Sequence, residues 1–126
     1  MQLVDIGANL THPAFHGDME EVLARAEAAG VSAMVVTGTS VIESTNALKA
    51  AKTHPQTLYA TAGVHPHNAR ECDESTIPAL RMLAQQPKVV AIGECGLDFN
   101  RNYSPHPDQE KWIAAQVELA SELRKP

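Results

Sequence analysis

The stretch Gly93-Glu94-Cys95-Gly96-Leu97-Asp98-Phe99 closes an apolar run, Val89-Val90-Ala91-Ile92, with two carboxylates four residues apart. A glutamate at the mouth of an apolar strand is costly to bury unpaired, so it needs a cation or hydrogen-bond donors. Divalent metal is one such cation. A single carboxylate can bridge two ions, and ions about 3.5–4 Å apart polarise a phosphoryl oxygen and generate hydroxide at neutral pH. The other reading is a structural ion pair between Glu94 and Arg101. Gly93 and Gly96 permit tight turns around Glu94. Asp98 and Arg101 suit two roles, shaping this loop or contacting a phosphate.

Upstream, Gly63-Val64-His65-Pro66-His67 sets two histidines one residue apart. In an extended chain, residues two apart share a face, and neutral imidazole is a common metal ligand. Pro66 biases His65 toward an extended backbone. His65 is therefore a candidate for substrate or metal contact, with His67 beside it. The bland alternative is that both rings hydrogen-bond backbone at a strand exit.

Four strand–helix units must position these groups. Residues 2–7, 31–38, 57–64 and 88–94 are short apolar runs that read as buried strands. Helices are expected from about Met19, from Ser40, from about Ser75 to Gln86, and from about Pro107 to Arg124. Asp18 with Glu21, and Ser40 with Glu43, have capping-box spacing, and Gly30 is placed to end the first helix. Met19, Val22, Leu23 and Ala26 mark one inner face, and Leu48 and Ala51 another. Ile113, Val117, Ala120 and Leu123 are the expected apolar face of the last helix. Polar residues collect at the strand exits: Asn9 and His12, Thr37 and Thr39, His65 and His67, Glu94 and Asp98. In parallel α/β folds those carboxyl ends share one side of the molecule, where sites form.

Alternating β and α with apolar strands predicts a parallel sheet covered by helices. Two closures fit that order. One is a small doubly wound sheet; the other is the first half of a (β/α)₈ barrel, since a complete barrel needs roughly 200 residues or more. The first turn, Gly7-Ala8-Asn9-Leu10-Thr11-His12, lacks the GxGxxG pattern expected of a dinucleotide fold.

Bulk properties bound the function. The chain has 126 residues, 44% of them hydrophobic, enough for one domain with one core. Its net charge of -5 and pI near 5.6 argue against a broad electrostatic footprint on duplex nucleic acid. A brief contact with a strand end, its charge supplied by bound metal, remains open. No basic leader or long apolar segment is present, so a soluble cytoplasmic protein without membrane contact is expected. Cys72 and Cys95 lack zinc-site spacing and are expected to be reduced.

In order and spacing, "DIGANLTH", "GVHPH" and "VVAIGECGLDFNRNYS" resemble the N-terminal half of TatD-family metal-dependent nucleases, over essentially the whole chain. The resemblance implies a (β/α)₈ barrel of about twice this length, one or two divalent ions such as Mg²⁺, and phosphodiester hydrolysis. The implied substrate is single-stranded DNA or RNA, attacked from its 3′ end. By this resemblance Glu94 is the metal-bridging glutamate and His65 faces the same cleft on the substrate side; Asp98 is a candidate substrate contact from its place in the loop. Many members begin with DxHxH, whose histidines bind one metal. Here the stretch reads Asp5-Ile6-Gly7-Ala8-Asn9, similar to the TatD subgroup, with Asn9 offering an oxygen. Two further histidines and a catalytic aspartate come from later strands, so no catalytic residue is assigned within 1–126; the expected general base lies beyond the chain end.

Two other functional readings follow. The chain is a catalytically incomplete fragment or non-enzymatic binding module, or it is a metal-dependent hydrolase of another substrate. As a half barrel it would expose open edges at its first and fourth strands, and self-association or loose packing is expected.

Overall fold

The computed structural model describes residues 1–126. Four strands, β1 (Leu3–Ala8), β2 (Val31–Val36), β3 (Leu58–Ala62) and β4 (Val89–Ile92), alternate with four helices. These are α1 (Met19–Ala28), α2 (Val41–Thr53), α3 (Thr76–Ala84) and α4 (His106–Leu123). Short 3₁₀ turns at Pro13–Phe15 and Pro66–Glu71 follow β1 and β3. All strand pairs are parallel, in the order β1-β2-β3-β4. A sequential order has no point at which the winding reverses, which excludes the doubly wound alternative. The sheet is a run of consecutive barrel staves.

The two faces of the sheet differ sharply. Met34, Val36, Leu58, Ala60, Ala62 and Val89 are buried against the helices in one core that also takes Leu23, Leu48, Leu80 and Leu119. On the other face nothing covers Ile6, which is 80% exposed. Ile6, Gly7, Thr37, Thr61 and Ala91 line a shallow recess there that runs up to Gly93 and Glu94. β1 is open at its outer edge. β4 is partly covered, because the Ile92 N–H donates to the Pro126 carbonyl at 2.9 Å and the Lys125 ammonium donates to the Val89 carbonyl. The expected open edge at the fourth strand is thus occupied by the chain's own tail, brought back by the left-handed turn at Arg124 (φ 53).

Two local expectations need correction. The Ser40 hydroxyl accepts the Glu43 N–H at 3.1 Å and caps α2 as its spacing predicts. Asp18 makes no such cap on α1. Its backbone (φ -141, ψ 23) is not extended, and the carboxylate turns instead toward Arg25, 3.8 Å away. The second correction concerns α4. Its buried residues are Gln109, Trp112, Gln116 and Leu119; of the expected stripe Ala120 and Leu123 do pack against the core, whereas Val117 is 58% exposed. The helix is rotated from the hydrophobic stripe because its glutamines have buried backbone groups to satisfy.

No helix is long and apolar enough to cross a membrane.

Candidate functional site

The strand exits are stitched together by backbone hydrogen bonds and small residues. Glu94 N–H donates to the Gly38 carbonyl at 2.8 Å, Gly93 N–H to Ala62 at 2.9 Å and His65 N–H to Thr39 at 2.9 Å. A Cβ on Gly63 would lie 2.4 Å from the Gly93 carbonyl carbon, so only glycine lets the two strand ends approach this closely. Gly93 itself has φ 155, a conformation that side chains rarely permit. Below them the buried Ser44 hydroxyl accepts the Gly63 N–H at 3.0 Å and donates to the Gly63 carbonyl at 3.2 Å. Glu94 is thereby held at the rim.

Two glutamines of α4 hold the loops from behind. Gln116 brackets Val64, accepting its N–H at 2.7 Å and donating to its carbonyl at 3.2 Å. Gln109 does the same for Asp98, at 2.7 and 3.2 Å, and also donates to the Ser104 carbonyl at 2.8 Å. The Ser104 hydroxyl joins the two loops by donating to the His67 carbonyl at 2.8 Å and accepting the Arg70 N–H at 3.1 Å. Gln109, Gln116, Ser44 and Ser104 were absent from the residues singled out by pattern. Their signal was available for α4, where 109, 112, 116 and 119 follow a 3-4-3 helical spacing.

The front of the site is a chain of polar contacts. His65 Nδ1 accepts the His67 N–H at 3.1 Å, so the proton of the neutral ring sits on Nε2, 3.4 Å from Glu94 Oε1. Burial lowers the His65 pKa from 6.5, and the Glu94 charge opposes that shift without cancelling it. The His65 and His67 rings meet edge to face, with centroids 4.2 Å apart. His67 Nε2 donates to Asp98 Oδ2 at 2.6 Å, while Asp98 Oδ1 accepts the N–H groups of Asn100 (3.2 Å) and Arg101 (3.0 Å). These bonds, the Arg101 backbone N–H foremost and His67 next, hold the Asp98 carboxyl down at about 2.

Each candidate residue can now be placed. Glu94 and His65 face one another at the rim. The Glu94 carboxylate is 51% exposed, and apart from the 3.4 Å approach of His65 no protein group engages it. Arg101 forms no ion pair, so the structural Glu94–Arg101 bridge is not formed. Asp98 has both oxygens engaged within the protein, and any contact with substrate would run through the His67 and loop that it orients. His12 turns away to cap its own 3₁₀ turn, accepting the Ala14 N–H at 3.1 Å, and Asn9 accepts the His12 N–H through its carbonyl. Cys72 and Cys95 are free thiols, and burial pushes both pKa values up, which disfavours thiolate chemistry.

No three His, Cys, Asp or Glu side chains converge closely enough to hold a metal ion. Glu94 has the free oxygens a hard cation prefers, but one carboxylate is not a site. The residues of this chain therefore fit a divalent ion only as part of a larger donor set.

The family described as TatD related DNase matches residues 4–126. The chain belongs to that family. Among TatD-family relatives, it is 51% identical over 124 residues to a 3′-5′ ssDNA/RNA exonuclease TatD of a Pantoea species and to another of Erwinia tasmaniensis. Each alignment takes in 98% of this chain and 48% of the relative. The solved structure of YJJV, a TatD homologue from Escherichia coli K12, superposes with a TM-score of 0.88 at 30% identity, over 98% of this chain and 48% of that one. A TatD-family hydrolase from Entamoeba histolytica gives 0.86 at 31%, over 97% and 46%. The chain thus spans about half the length of the TatD proteins it matches, and its four staves have the fold of half of such a barrel.

Proposed function

We propose that residues 1–126 contribute the carboxylate-bearing half of a metal-dependent nuclease site that hydrolyses phosphodiester bonds at the 3′ end of single-stranded DNA or RNA. The observation that carries this reading is Glu94, fixed at the β4 exit by its backbone while its carboxylate stays free of protein donors. Glu94 would be one ligand of a divalent ion such as Mg²⁺, whose other ligands come from outside this chain. Bound there, the ion would polarise the phosphoryl oxygen and lower the pKa of a water.

The chain's own groups act around that centre. With its proton on Nε2, His65 donates to Glu94 or to a non-bridging phosphate oxygen. Arg101 offers an unpaired cation for an adjacent phosphate. Asp98 orients His67, which packs on His65 and limits the positions that ring can take. The general base is not among these residues.

A Glu94→Gln substitution, made in the cleavage-competent protein that supplies the remaining ligands, tests the reading on a fluorescent 3′-tailed single strand with Mg²⁺, with EDTA as control. Loss of Mg²⁺-dependent cleavage is expected. Near-normal cleavage would remove Glu94 from the centre.

The absence of three converging ligands favours a second reading beside the first, that residues 1–126 are catalytically incomplete by themselves. Purified residues 1–126 are then expected to show little exonuclease turnover, and robust turnover would contradict this. The uncovered sheet face at Ile6 and the open edge of β1 support self-association of this chain in isolation. Sedimentation should detect it, and a compact monomer that melts cooperatively would argue against it.

A further inference from the structure

The loop between β4 and α4 exposes large apolar groups while being held rigid. Leu97, Phe99 (42% exposed) and Tyr103 (57% exposed) all face solvent. Their exposure does not come from a slack loop. Asp98 takes two backbone N–H groups, Gln109 brackets Asp98, and His106 reaches back 2.5 Å to the Asn102 side chain, whose backbone is left-handed at φ 53. The ordering cost that a flexible loop pays on binding is already met here.

One ring is already stacked, and the other is linked by contacts to the carboxylate site. Phe99 stacks on the His106 imidazole with centroids 3.9 Å apart and planes 20° from parallel. Tyr103 and His67 meet edge to face with centroids 4.7 Å apart, and His67 in turn packs on His65, the partner of Glu94. Between the two aromatics in sequence, Arg101 is unpaired by any carboxylate, and its charge is felt at His65. Exposed aromatic rings with an unpaired cation between them in sequence, linked through His67 and His65 to the proposed hydrolytic centre, match the chemistry of a single strand: bases that stack and phosphates that need positive charge.

We propose that Phe99 and Tyr103 form a stacking platform for unpaired bases next to the scissile phosphate, with Arg101 on a neighbouring phosphate. This rests on the nuclease reading of the Glu94 site. Stacking accepts any base, so the platform binds single strands with little sequence preference and excludes paired bases, whose faces are already covered.

The test is binding without turnover. Fluorescence anisotropy would follow a 5′-fluorescein oligothymidylate with phosphorothioate linkages, against the same strand carrying abasic residues at its 3′ end, in Mg²⁺. Phe99→Ala and Tyr103→Ala should each weaken binding of the intact strand by about fivefold or more and leave the abasic strand nearly unchanged. Tyr103→Phe should bind like wild type, and Tyr103→Leu, which keeps apolar bulk without a ring, should follow alanine. Equal loss on both strands, or leucine matching wild type, would overturn the platform and point to protein packing at this patch. If wild type cleaves in a Glu94-dependent way yet the ratio between the two strands is unchanged in every variant, the platform fails and the nuclease reading stands. A wild-type protein that binds neither strand overturns both.

Discussion

Two carboxylates on one loop, four residues apart, have opposite surroundings. Asp98 is saturated: a histidine on one oxygen, two backbone N–H groups on the other, and a glutamine on both sides of its peptide. Glu94 has its backbone fixed and its oxygens free. A carboxylate that satisfies its neighbours belongs to the fold, and one left with open lone pairs at a strand exit is available to a cation. The difference is what marks Asp98 as a positioning group and supports the proposal of Glu94 as a ligand.

The comparison breaks most visibly in activity. In the cleavage-competent protein, Glu94→Gln should lower kcat/KM for metal-dependent cleavage on the order of 10²-fold or more, because several kcal/mol of charge stabilisation would pass through the ion that Glu94 is proposed to hold. Its thermal melting should stay close to wild type. A Glu94→Gln protein that cleaves normally but melts early would invert the two roles.

Stability sharpens it from the other side. Gln109→Ala leaves the Asp98 N–H and two loop carbonyls without their partner, and Gln116→Ala does the same to Val64. Each buried backbone group left unpaired costs about 1–3 kcal/mol. Calorimetry should show both variants melting well below wild type, and an unchanged melting temperature would mean that water replaces the amide.

Acid probes the Asp98 loop cap next. The folded-state pKa of Asp98, about 2, lies below its ordinary value of 3.8, so its bonds stabilise the loop fully above 3.8 and fade as pH falls through about 2. The amide resonances of Asn100 and Arg101 should titrate near that lower value. A midpoint close to 3.8 would show the loop cap to be weak.

The smallest effect is at His65. Its pKa lies below 6.5, so the neutral ring is the form favoured by folding, and that contribution is lost as pH falls below 6.5. Nitrogen-resolved NMR should find the proton of the neutral ring on Nε2. Glu94→Gln should move the midpoint lower still, because the glutamate charge raises it. A rise would place another anion beside the ring.

How much of this was legible in the sequence depends on which forces a pattern records. The strands and α2 were readable because β-branched apolar runs and the Ser40 cap act locally. The place of Glu94 at a strand exit was readable because a charge at the end of an apolar run is anomalous. α4 was read correctly at Ala120 and Leu123 but misread at Val117, because burial there also follows hydrogen bonding: Gln109 and Gln116 outrank Val117 for the inner face, since the loops they clamp have buried peptide groups to pair. Asp18 was misread because a cap depends on ψ as well as on spacing. The closure of the sheet needed the strand order, which composition does not encode.

The most direct measurement is anomalous diffraction from crystals, grown with Mn²⁺, of the cleavage-competent protein that carries the complete donor set. The account predicts a peak in contact with the Glu94 carboxylate and none at Asp98. An ion bound at Asp98 instead, or Glu94 turned away and tied to neighbouring protein groups with no peak beside it, would contradict it.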